Sequence, residues 1–198
     1  MQKRVIAVLS LAALALTGCA LDSALSNTHM DTHSAANGAS QDASQFDADA
    51  VMFAQMMIPH HEQAVAMSDL AQTRTTNSDV LRIARAIRAT QAPEIAQMRN
   101  WLQIAGADLS ADHSTMDHGM DMGGMLTTED MANLAAAQGK TFDELFLEGM
   151  IEHHRGAIAM SATVISNSNS EVAVLASSIV TAQESEISEM ETLLQTIR

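Results

Sequence analysis

The chain has 198 residues and a formal net charge of −14, with 15 methionines, eight histidines, one cysteine, four Phe, one Trp and no Tyr. Acidity of this size argues against nucleic acid or an anionic membrane surface as a partner, and suits a cationic ligand. Few aromatics, two prolines and abundant alanine point to an all-α domain with one core.

The first segment reads as an export signal over residues 1–18. Lys3 and Arg4 supply positive charge, and Val5 to Leu16 form an apolar run too short for an ordinary membrane span of about 20 residues. Leu16-Thr17-Gly18-Cys19 has the form of a bacterial lipobox, which predicts lipidation at Cys19. As Cys19 is the only cysteine, its modification would leave neither a disulfide nor a thiolate metal ligand. The expected address is an exported, membrane-anchored lipoprotein on the periplasmic or cell-surface side. Residues 19–43 read as a flexible tether, rich in Ser, Asn, Asp and Ala, with His29, Met30 and His33 within it.

Residues 44–198 read as a four-helix bundle, because the chain repeats itself. FAQMMIPHHEQAVAMSD at 53–69 returns as FLEGMIEHHRGAIAMSA at 146–162, an offset of 93 positions. Gln91-x-x-Glu94-Ile95-x-x-Met98 returns as Gln183-x-x-Glu186-Ile187-x-x-Met190, one residue closer. Each unit predicts an αα-hairpin. The first spans 44–105: a helix from an Asp42-x-x-Gln45 capping box to about Arg74, a turn with Asn77 or Ser78 as the next N-cap, and a helix to Gly106. Pro93 predicts a kink or break near Gln91-Ala92. The second spans 127–198: a short helix ended by Gly139, a Thr141-x-x-Glu144 capping box, a helix to about Ile165, a turn at 167–170 and a helix to the C-terminus. Between them, residues 106–126 form a Met/His-rich loop.

At 100° per residue, Met57, His60, His61, Ala64, Met67 and Ser68 share one helical stripe; Met150, His153, His154, Ala157, Met160 and Ser161 repeat it. Methionine alone is ordinary core filler. Four histidines in matched pairs on a buried face need partners for their nitrogens, which favours metal ligation. Thioether sulfur with imidazole suits Cu(I), and silver(I) by the same softness; Cu(II) is the second copper candidate. The candidate bundle ligands are Met57, His60, His61, Met67, Met98, Met150, His153, His154, Met160 and Met190. His113, Met116, His118, Met120, Met122 and Met125 form a second, looser set in the loop. Gln91, Glu94, Gln183 and Glu186 are candidates to support the ligands, the carboxylates by accepting from histidine N–H groups. A di-iron bundle needs Glu-x-x-His pairs, and methionine stands where each glutamate would be.

Three motifs carry a resemblance. They are Phe142-Asp143-x-x-Phe146-Leu147-x-x-Met150-Ile151-x-His153-His154-x-Gly156-Ala157-Ile158-x-Met160, Met57-Ile58-Pro59-His60-His61-x-x-Ala64-x-x-Met67, and the two Gln-x-x-Glu-Ile-x-x-Met segments. Over about residues 46–198 the chain resembles domain-of-unknown-function family 305, which takes in CopM-like bacterial copper-binding proteins. The resemblance implies a ferritin-like four-helix fold and, from characterised relatives, extracytoplasmic copper binding and tolerance. Trp101-Leu102 fits the family pattern, whereas the second unit has Leu193-Leu194, a departure that bears on packing more than on ligands.

The leading expectation is a copper-binding lipoprotein, not an enzyme, that sequesters copper or passes it to a copper-handling partner. The alternatives are a structural or signalling envelope domain whose Met/His stripe is core, and a metal-dependent oxidase on a ferritin-like scaffold.

Overall fold

The structure, a computed structural model, describes residues 45–109 and 123–198; Cys19, the tether and residues 110–122 lie outside them. The described residues form five helices and no strand: α1 (Ala48–Arg74), α2 (Ser78–Ala105), α3 (Thr128–Ala136), α4 (Gly139–Ala162) and α5 (Ser170–Ile197). Among them no helix is long and apolar enough to cross a membrane.

Three of the four long helices, α1, α2 and α5, start where a side chain satisfies exposed N–H groups of the first turn; α4 follows Gln138, which makes no such bond. Asp47 accepts from Ala50 N at 2.8 Å, Asn77 from Asp79 N at 3.0 Å, and Asn169 from Glu171 N at 2.9 Å. Gly106, at φ 65, closes α2 in the left-handed conformation that glycine adopts without steric cost. Thr127 and Asp130 form a reciprocal capping box on α3.

Three local expectations are corrected. The first helix is capped by Asp47 rather than through Asp42, which lies outside the described residues. No box forms at Thr141, which lies inside α4; that helix begins at Gly139, whose φ of 56 turns the chain out of α3. Pro93 does not break α2. Pro93 and Ala89, whose carbonyl loses its N–H partner, are both on the exposed face, where water replaces the bond.

The two hairpins, α1–α2 and α4–α5, pack antiparallel about an approximate twofold. At one end, Phe46 just ahead of α1 and Ala50 and Phe53 from its start meet Trp101 and Leu102 from the end of α2, Val164 after α4, and Val172 and Leu175 from the start of α5. At the other, Met67 and Ala71 near the end of α1 meet Phe142, Phe146 and Leu147 from the start of α4, with Leu134 of α3 over them. The turns tie the hairpins together: Asn77 donates to Asp143 at 3.2 Å, and Asn167 donates to Asp47 at 3.0 Å. The two apolar clusters leave a polar layer between them, and the repeated histidines occupy it.

Candidate metal centre

Four consecutive-pair histidines, His60 and His61 on α1 and His153 and His154 on α4, are all 0% exposed. Gln91 of α2 and Gln183 of α5 are buried with them. The rings of His60 and His153 meet across the twofold, centroids 3.8 Å apart and planes tilted by 40°. Burial lowers the His60 pKa to about 4, with the neighbouring His61 and His154 adding to the effect and a bond to the Gly123 carbonyl opposing it. Burial likewise holds His153 well below the usual imidazole range, with His60 the next largest cause. Both rings are therefore neutral at pH 7 and have a lone pair to offer.

The outer histidine of each pair is held by a carboxylate. His61 Nε2 donates to Glu94 Oε2 at 2.8 Å, and His154 Nε2 donates to Glu186 Oε2 at 2.7 Å. His60 Nε2 donates to the Gly123 carbonyl at 3.2 Å. Carboxylates and carbonyls only accept, so the hydrogen sits on Nε2 in each case. In the neutral ring Nδ1 is then an unprotonated acceptor. The Nδ1 atoms of His60, His61 and His154, and both ring nitrogens of His153, are buried without a hydrogen-bond partner. Gln91 Nε2 and Oε1 and Gln183 Oε1 are also unpartnered there. Buried polar atoms without partners are uncommon, and here several of them gather in one layer.

Methionine brackets this layer. Met57 and Met98 are 0% exposed in one apolar cluster; Met67, Met150 and Met190 are 0% exposed in the other. Met57 and Met150 each lie one helical turn before a histidine pair, on the same face. Met160 is different. It is half-buried and lines a cavity on the outside of α1 and α4, whereas its repeat counterpart Met67 is core. Met125 is half-buried beside Leu126; His113, Met116, His118, Met120 and Met122 lie outside the described residues. Among the described residues, no three or more His, Cys, Asp or Glu side chains converge as a metal cage. A metal bound in this layer must therefore draw on thioether sulfur or on rotation of the imidazoles.

The connector into α3 was not foreseen. Gly123 and Gly124 lie directly on α4: a Cβ on Gly156 would collide with the Gly123 carbonyl, and one on Gly124 with the Glu152 carbonyl. On the α1 side, Gln63 grips the same connector, donating to Leu126 O at 2.9 Å and accepting from Leu126 N at 2.8 Å. Gln63 and Gly156 occupy equivalent repeat positions. That mismatch, with a Gly-Gly pair ahead of α3, was the sequence signal for the crossing.

The domain of unknown function DUF305 matches residues 50–194. No curated protein matches the chain. Among solved structures, a DUF305 protein from Streptomyces coelicolor, assigned as secreted, is 35% identical with a TM-score of 0.71, covering 76% of this chain and 96% of that one. A DUF305 fragment from Deinococcus radiodurans is 30% identical with a TM-score of 0.69, covering 76% and 98%. CopM in its Cu(I)-bound form is 30% identical with a TM-score of 0.62, covering 74% and 96%; CopM structures with Cu(II) and with silver match as well. A match over nearly the whole bundle, with the duplicated His-His motif at its centre, places this chain in the DUF305 family.

Proposed function

We propose that this chain is an exported, membrane-anchored binding protein, not an enzyme, that sequesters copper outside the cytoplasm or hands it to a copper-handling partner. One observation carries the reading: the buried Nδ1 atoms of His60, His61 and His154 lack partners while their Nε2 atoms are fixed by Gly123, Glu94 and Glu186. Metal-bound histidine characteristically donates its other nitrogen to a carboxylate or carbonyl, which orients the ring and raises its basicity. The methionines around the layer favour Cu(I), with Cu(II) the weaker candidate because thioether is a soft donor. The copper- and silver-bound forms of CopM support the same chemistry at about this level of similarity.

The test is a Cu(I) titration under reducing conditions, read by native mass spectrometry. Replacing His60, His61, His153 and His154 with Ala should remove the bundle-bound copper while far-ultraviolet circular dichroism reports retained helix. Unchanged stoichiometry would overturn the assignment. Copper should also raise the melting temperature of the wild type, because a ligand that binds the native state stabilises it. A melting temperature indifferent to copper would favour an envelope helical domain in which the histidine layer serves packing alone.

A further inference from the structure

A cavity of about 350 Å³ opens between α1 and α4, lined by none of the four histidines, and three thioether side chains line it. Met52 and Met56 stand one turn apart on α1, and Met160 comes from α4. Their setting differs from that of Met57, Met67, Met98, Met150 and Met190, which are 0% exposed and fill the apolar clusters. Met56 is 7% exposed, and Met52 and Met160 are half-buried, all bordering unfilled volume. Met160 also packs against the first apolar cluster, but packing alone does not place three thioethers around one unfilled volume. The other lining side chains include Phe53 and Val164, which bring no donor, and Asp49 is the one carboxylate.

We propose that Met52, Met56 and Met160 form a thioether site for a soft monovalent ion, Cu(I) or Ag(I), separate from the central histidines. Three neutral sulfurs suit a soft ion and offer little to Cu(II) or Zn(II), which prefer imidazole, carboxylate or thiolate. The cavity is open, so the site exchanges its ion with solvent more readily than the closed layer does. Gly123 and Gly156 also line it, so only the glycine crossing separates the cavity from His60, whose Nε2 bonds the Gly123 carbonyl. The proposal rests on its own donors and does not require the histidine layer to bind metal.

The experiment is a titration of the full chain, labelled with 13C at the methionine methyls, with Ag(I) in nitrate buffer. The resonances of Met52, Met56 and Met160, assigned with the single variants M52L, M56L and M160L, should all shift. They should shift equally in the variant with His60, His61, His153 and His154 replaced by Ala. The triple variant M52L/M56L/M160L should bind one Ag(I) fewer by native mass spectrometry. Methyl resonances that stay still at saturating Ag(I), or a triple variant with wild-type stoichiometry, would overturn the proposal. If the triple variant does not fold, the wild-type methyl shifts decide alone. Loss of silver confined to the histidine variant would support the central layer and sink this site; loss confined to the methionine variant would do the reverse.

Discussion

The two hairpins repeat one motif, and they differ where a single connector has to cross them. Each supplies one histidine held by a glutamate, His61 by Glu94 and His154 by Glu186, at distances within 0.1 Å of each other. At the next turn the copies diverge: Gln63 on α1 grips the connector through its side chain, and Gly156 on α4 yields its side-chain space to the same connector. A twofold-related pair of surfaces cannot receive one asymmetric connector in the same way. Duplication thus preserved what the centre needs, and the connector broke the symmetry beside it, leaving His60 bonded to Gly123 and His153 with no partner.

Acid should break the comparison hardest. The folded-state pKa of His60 is about 4 against 6.5 for the free group, and that of His153 is also lowered. A depressed pKa means the unfolded chain binds the proton more tightly, so this stability is complete above about pH 6.5 and is lost as pH falls toward 4. For His60 alone the loss is on the order of 3 kcal/mol. Urea unfolding of the metal-free protein between pH 7 and 4 should show it, and a His60→Asn variant should flatten the profile. A wild-type stability independent of pH over that window would refute the neutral, buried pair.

The crossing itself offers the next test. Gly156→Ala places a methyl against backbone that has nowhere to move without releasing the connector, and should cost about 2–3 kcal/mol. Gln63→Ala removes two hydrogen bonds to Leu126 but creates no clash, and should cost about 1–2 kcal/mol. Chemical denaturation ranks the two, and a harmless Gly156→Ala would mean that the connector does not lie on α4. Where the halves agree, variants should agree: Glu94→Gln and Glu186→Gln should each lower copper affinity by about 10-fold or more, and by similar factors. Competition with a Cu(I) chelator measures both, and a large inequality would show that the metal sits on one hairpin only.

Most of the bundle was legible because helix periodicity and duplication are local or repeating signals. Phe53, Met57, His60 and His61 announced a buried face, and their copies at 146–154 announced a second one packed against it. The His–Glu pairs were half legible: the spacing placed Glu94 and Glu186 on the inward-facing stripe, but a contact across 33 or 32 residues depends on how the hairpin closes. Repetition misled at Met160. It copies Met67, yet α1 runs seven residues beyond Met67, to Arg74, under the cover of Leu134, while α4 stops at Ala162 and leaves Met160 at a helix end facing the cavity. The Gly123 contact was illegible as a bond, because it joins a carbonyl, which every residue has, to a histidine 63 positions away. Pro93 misled for a different reason: a long helix can carry a proline, and the carbonyl freed here, that of Ala89, lies on the exposed face.

The smallest effects separate the halves most finely. Asn77 and Asn169 are the equivalent N-caps of α2 and α5, and Asn→Ala at either should cost about 1 kcal/mol. Their Nδ2 groups differ in partner: Asn77 donates to Asp143 Oδ2 at 3.2 Å, and Asn169 donates to Gln45 O at 2.7 Å. Aspartate keeps the capping acceptor but loses the donor. Asn77→Asp therefore sets a second carboxylate against Asp143, which is 5% exposed, and should cost as much as alanine or more near pH 7. Asn169→Asp faces a neutral carbonyl and should recover part of the capping energy, a few tenths of a kcal/mol better than Asn169→Ala. Thermal unfolding of the four variants at neutral pH resolves this order. Equal costs for Asn77→Asp and Asn169→Asp would mean that the tie from the first turn to Asp143 carries no energy.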